Sequence, residues 1–323
     1  MTAAMAVYTE ISDGELTRFL AEYDLGAPLS CKGIAEGVEN SNFLIRTERG
    51  SFILTLYEKR VNERDLPFFI ALMEHLAAQG FSCPTPIAGR DGRALRRLCG
   101  RPAAVISFLE GLWPREILPF HCAGVGDALA RLHAAGAGFP MSRPNDLSLE
   151  GWQQLIGATA RQADSVAPGL AAELAEEMAA LRRAWPQGLP SGICHADMFP
   201  DNVFFRDRAV SGVIDFYFAC TEAFAYDLAI CVNAWCFEPD FSWNPDKGKL
   251  LVDAYQAVRP LTPEERHAFP VLARGSALRF LLTRLYDWLN RSAGALVRPK
   301  DPLEYLAKLR FHRAAEGAAT YGL

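Results

Sequence analysis

The stretch with the clearest chemical content is His195-Ala196-Asp197-Met198-Phe199-Pro200-Asp201-Asn202, followed by Val213-Ile214-Asp215-Phe216. An Asp and an Asn stand five apart, a His precedes the Asp by two, and a further Asp follows the Asn by thirteen. Phosphoryl transfer to an alcohol asks for such a set. One carboxylate accepts the proton of the attacking hydroxyl, while an amide oxygen and a second carboxylate hold magnesium against nucleotide phosphates. Asn202 and Asp215 carry oxygen donors suited to a hard cation, which leaves the base to Asp197. The bland alternative is a solvated polar loop before a strand that happens to end in Asp. The two patterns together argue against it. His195 is better suited to bracing the loop by hydrogen bonds than to acid–base chemistry, and Asp201 to solvent or a turn cap.

Such residues need elements to position them. The runs VFF and GVID, with a turn at Arg206 to Ala209, predict a hairpin that sets Asn202 beside Asp215. Upstream, Ser12 and Glu15 form a capping box for a helix whose Leu16, Phe19, Leu20 and Tyr23 share a face. NFLIRT and SFILTLY alternate as strands around Glu48-Arg49-Gly50, and Asp65 to Gln79 reads as a helix with Pro67 in its first turn. Two further strands are expected at Ala94 to Cys99 and Ala103 to Leu109. Beyond Glu110-Gly111-Leu112-Trp113-Pro114 the pattern turns helical, with helices at Phe120 to Ala134, Leu149 to Ala163 and Gly169 to Trp185. A strand-rich first third before a helical body predicts an α+β protein, divided at 1–109 and 110–323.

The 323 residues are 50% hydrophobic and 22% charged, with a formal net charge of -5. No Lys/Arg cluster offers a nucleic-acid surface, and no apolar run is long enough for a membrane span. The eight cysteines are scattered without a C-x-x-C pair, as expected of reduced core thiols in a cytoplasmic protein. His133, on an apolar helix, reads as a satisfied core histidine.

The segments GIAEGVENSNFLI, FILTLYEKRV, HADMFPDNVFF, GVIDFYFACTEAFAYDLAI, RFLLTRLYDWL and PKDPLEYLAKLRFH span nearly the whole chain. In order and number they resemble the aminoglycoside phosphotransferase and choline kinase superfamily, distant relatives of protein kinases, and within it the bacterial homoserine kinases. That resemblance implies a bilobal protein-kinase-like fold. It has an antiparallel-sheet N-terminal nucleotide-binding lobe and a mainly helical C-terminal lobe, with ATP and magnesium as cofactors. It makes Asp197 the base, Asn202 and Asp215 the metal ligands, and Asp227 a structural brace. It places Gly37, Asn40, Ser41 and Asn42 in a loop over the ATP phosphates, and Ser107, Phe108 and Leu109 at the adenine.

Two places depart from the kinase pattern. Thr55 stands where a strand lysine is expected; Lys59 is the favoured substitute, with Arg60 and Lys32 as alternatives. Asp215 is followed by Phe216-Tyr217 rather than Phe-Gly, so no flipping activation segment is expected. For the acceptor, an Arg fork would suit an amino-acid carboxylate, and Arg279 and Arg284 lie on one apolar helix. One of them is expected in the substrate site, the alternative being a snorkelling or structural role. The expected acceptor is homoserine. Choline, ethanolamine, an aminoglycoside or methylthioribose remain open at this stage, as does a catalytically inactive nucleotide-binding scaffold.

Overall fold

A computed structural model describes residues 9–34, 40–58, 62–291 and 299–323. Gly37 and Lys59 lie outside them. The chain divides into two compact units, Met1–Glu110 and Gly111–Leu323.

The first unit opens with helix α1 (Asp13–Leu20), started by the Ser12/Glu15 capping box. Five strands follow: β1 (Pro28–Ile34), β2 (Asn40–Thr47), β3 (Gly50–Tyr57), β4 (Leu95–Leu98) and β5 (Arg101–Ser107). They pair antiparallel in the order β1-β2-β3-β5-β4, with helix α2 (Leu66–Ala78) between β3 and β4 in the chain. Period-two alternation places Phe43 and Ile45 of β2 beside Leu54 and Leu56 of β3. Ala103 and Val105 of β5 join them, and α1 covers this layer with Leu16, Phe19 and Leu20. Each large side chain so buried contributes on the order of 2 kcal/mol. The register also corrects an expectation. Asn40, Ser41 and Asn42 are not loop residues but the first residues of β2, paired with Tyr57, Leu56 and Thr55.

In the second unit the helices are α3 (Pro119–Ala135), α4 (Leu149–Thr159), α5 (Leu170–Ala184), α6 (Phe224–Trp235), α7 (Pro245–Val258), α8 (Pro263–Leu289) and α9 (Pro302–Ala314). Between α5 and α6 run four short strands, β6 (Ser191–Cys194), β7 (Val203–Arg206), β8 (Ala209–Val213) and β9 (Cys220–Ala223), paired as β6-β9 and β7-β8. The architecture is α+β, as the sequence predicts. Helix α8 is the central element. A Thr262/Glu265 capping box and Pro263 start it, and it buries Leu272, Ala273, Ala277, Leu278, Leu281, Leu282 and Leu285. Gly275 lets it approach an aromatic pair closely, for a Cβ there would collide with the rings of Trp185 and Trp152. No helix among the described residues is long and apolar enough to cross a membrane. All eight cysteines are free, six of them buried.

Candidate active site

The hairpin β7–β8 forms as its sequence predicts. Its turn residues Asp207 and Arg208 both take positive φ, the backbone twist that suits a two-residue connection. Val203 pairs with Val213, and the Ile214 N–H donates to the Asn202 carbonyl at 2.9 Å. Asn202 and the strand end carrying Asp215 therefore meet at one end of the hairpin. The Asn202 amide nitrogen donates to the Asp197 carbonyl at 2.8 Å and to Asp197 Oδ2 at 3.1 Å. Committing the nitrogen leaves the amide oxygen as the group to face a cation. His195 ties the two segments together. Its Nε2 donates to the Ile214 carbonyl at 2.9 Å, and its Nδ1 accepts the Asp197 N–H at 3.2 Å. That is the bracing role expected of it.

Two residues of the loop hold costly backbone. Ala196 has φ 60° and Asp215 φ 65°, left-handed conformations that disfavour side chains. Asp227, fully buried on α6, supplies what holds the first. Its Oδ2 accepts the His195 N–H at 2.7 Å and its Oδ1 the Ala196 N–H at 2.9 Å. A third bond comes from His133 Nε2 on α3, at 3.0 Å, while His133 Nδ1 accepts the Tyr255 hydroxyl at 2.8 Å. His133 is thus a satisfied buried histidine. Ligand atoms of His133, Cys194 and Asp227 lie within 4.8 Å of one another. Both histidine nitrogens and both carboxylate oxygens are already hydrogen-bonded, so the cluster acts as a brace for the loop.

The electrostatics of the loop fit a cation. Burial pushes the Asp197 carboxyl well above the usual carboxylate range. Arg279 opposes this, Asp215 and Asp201 add to it, and Lys300 opposes it more weakly. Several carboxylates around half-buried Asp197 leave the region short of positive charge. An all-oxygen donor set of Asn202 and Asp215 suits a hard dication that would supply it.

The remaining expected residues separate into two groups. On the first unit, Ser41 donates to Glu58 Oε1 at 2.8 Å, Asn40 Oδ1 accepts the Glu58 N–H at 3.3 Å, and Thr55 donates to Asn42 Oδ1 at 2.8 Å. Thr55 is buried where a strand lysine was expected, and Lys32 is exposed. Ser107 closes β5 with its N–H on the Thr85 carbonyl and its hydroxyl on the Thr85 N–H, both at 2.9 Å. Phe108 and Leu109 follow the strand, Phe108 exposed. On the second unit, Arg279 and Arg284 are both buried on α8, yet their surroundings differ. Arg284 donates to Glu304 at 2.5 Å and to the Asp301 carbonyl at 3.2 Å. The guanidinium of Arg279 lies 4.6 Å from the ring centroid of Phe280 and 5.6 Å from that of Phe218, and it influences Asp197. Tyr226 and Tyr305, on which the Arg279 charge acts, and Ser276, one turn before it on α8, gave no signal in the sequence beyond ordinary core composition.

Residues 30–261 match the model of the phosphotransferase enzyme family. The chain is 62% identical over 319 residues to the homoserine kinase of Xanthobacter autotrophicus, covering 99% of each. It is 60% identical over 319 residues to that of Rhodospirillum rubrum, again covering 99% of each. Among solved structures, amicoumacin kinase hAmiN in complex with AMP-PNP and Ca2+ aligns with TM-score 0.68 at 14% identity, covering 94% of this chain and 92% of that one. This last likeness establishes the fold, a protein-kinase-like one. By the extent of these matches the chain belongs to the phosphotransferase enzyme family, in the branch whose curated members are homoserine kinases.

Proposed function

We propose that the protein transfers the γ-phosphoryl group of ATP to the side-chain hydroxyl of L-homoserine, giving O-phospho-L-homoserine on the route to threonine. The observation that carries this is the 57–62% identity, over essentially full length, to relatives named homoserine kinase. Asp197 accepts the proton of the substrate hydroxyl, and its carboxylate is oriented by the Asn202 amide. Asn202 and Asp215 hold magnesium, which when bound offsets the charge of the nucleotide phosphates. His195 and Asp227 keep the loop in its strained form. On the first unit we assign Asn40, Ser41, Asn42, Ser107, Phe108 and Leu109 to the nucleotide. Gly37 and Lys59 are assigned with them on the sequence pattern alone.

An ADP-release assay with L-homoserine, choline, ethanolamine and an aminoglycoside tests the acceptor. Homoserine should be turned over far faster than the rest, and ADP release with choline but not homoserine would reject the assignment. In the same assay, Asn202→Ala and Asp215→Ala should each raise the magnesium concentration for half-maximal rate by at least about tenfold. Unchanged titration curves in both variants would show that neither side chain is a ligand.

A further inference from the structure

Arg279 is 1% exposed, and its Nε and Nη1 have no hydrogen-bond partner among the described residues. The rings of Phe218 and Phe280 attract the cation but do not accept its N–H groups as an oxyanion would. A buried guanidinium left in this state is destabilising, and proteins retain such a group where a ligand completes it. Its neighbours are in the same condition. The hydroxyls of Ser276 and Tyr305 are buried without a hydrogen-bond partner among the described residues, and that of Tyr226 is buried with Arg279 as its charged neighbour. Ser276 lies one turn before Arg279 on α8, and Tyr226 and Tyr305 both feel the Arg279 charge. The same charge acts on Asp197, whose charge in turn acts on Tyr305, so Arg279 and Tyr305 both couple to the proposed base. Arg284, five residues along the helix, shows what completion looks like. Glu304, the Asp301 carbonyl and the face of Tyr305 at 4.4 Å occupy it.

We infer that Arg279 is the anchor for the carboxylate of the amino-acid substrate, and that this contact separates homoserine from amino alcohols that lack the carboxylate. The inference rests on the homoserine assignment above. A single guanidinium ringed by neutral hydroxyls suits one negative charge and a few polar atoms. A polyanionic phosphate chain would call for more cations. The hydroxyls of Tyr226, Ser276 and Tyr305 complete the shell around the same ligand. A site built to hydrogen-bond a group rejects the analogue without it, because its own buried polar atoms then stay unpaired.

The test compares kcat/KM for L-homoserine and for 3-aminopropan-1-ol, which is homoserine without its carboxylate, in wild type, R279M and R284M. Wild type should prefer homoserine by on the order of 10³-fold. R279M should lose most of that factor on homoserine and little on the amino alcohol, with KM for ATP unchanged. Its melting temperature should not fall, since the substitution removes an unpaired charge. R284M should keep the preference even where it lowers stability, because the ion pair it breaks belongs to the fold. Where the Met variant fails to fold, R279K retains the charge without the planar fork and should still lose at least about tenfold of the preference. A wild type inert toward homoserine overturns the assignment on which this rests, and the inference with it. A wild type active on homoserine beside an Arg279 variant that keeps the preference, or that loses affinity for ATP instead, overturns the inference alone.

Discussion

Asp197→Asn should lower kcat for homoserine by about 10²- to 10⁴-fold while leaving ATP affinity within a few-fold of wild type. The amide has nearly the same shape, so the Asn202 contact and the loop survive; what is lost is an oxygen able to take a proton. A deficit confined to kcat marks an interaction made in the transition state, whereas a rise in KM alone would mark lost ground-state binding. Steady-state kinetics with a separate nucleotide-binding measurement distinguish the two. Turnover at the wild-type rate would remove Asp197 from the base position. The Asp197 backbone is held through the His195 Nδ1 contact and the Asn202 amide, so the carboxylate need not reorganise when the hydroxyl arrives.

Asp227→Ala should destabilise the protein by about 3–5 kcal/mol, lowering the melting temperature by roughly 10 °C. The deletion leaves three buried donors unmatched: the N–H groups of His195 and Ala196, and Nε2 of His133. It also frees Ala196 to leave its left-handed conformation, so activity should fall further than stability. Thermal unfolding of the purified variant measures the first effect. A melting temperature within a degree or two of wild type would mean that the brace contributes little.

Acid should work on the same region and on α9, where His312 is bonded to Tyr321 and Asn233. Burial holds His133 below its ordinary pKa against the pull of Asp227, so it is neutral at pH 7. Burial also lowers His195, and it pushes His312 down to about 3 with help from Lys308 and Arg274. In the unfolded chain each of these histidines takes a proton near pH 6.5; in the fold each resists it. Their stabilisation is therefore complete above pH 6.5. It declines as pH falls below that value, by about 1.4 kcal/mol per pH unit for each histidine while its two states differ in charge. Asp227 adds to the loss at lower pH. Burial raises its pKa, but the hydrogen bonds from His133 and from the His195 backbone act against it, and the balance lies below the usual 3.8.

Sequence alone was enough for the parts whose contacts are local. The Ser12/Glu15 cap, the Gly50–Tyr57 strand and the β7–β8 hairpin each depend on residues within about a dozen positions, where periodicity and turn chemistry dictate geometry. The meeting of Asp197, Asn202 and the Asp215 strand end follows from that hairpin, because five residues of loop and one tight turn leave the chain few alternatives. Asn40 to Asn42 read as loop, since polar residues beside a glycine resemble a turn. They are strand because β3 and Glu58 offer partners to their backbone and side chains.

What distinguishes Arg279 from Arg284 could be decided only by the tertiary structure. Both are arginines in the same apolar helix, with no local signal to rank them. The difference is Glu304 on α9, twenty residues beyond Arg284, which neutralises one guanidinium, whereas Nε and Nη1 of the other have no hydrogen-bond partner among the described residues and its charge acts on Asp197. The hold of Asp227 on the backbone of His195 and Ala196 likewise spans about thirty residues, and its bond to His133 ninety-four. Local spacing dictates which atoms a short segment can present. The charge and hydration those atoms experience are set by whatever distant elements pack against them, because burial and Coulomb interactions act through space rather than along the chain.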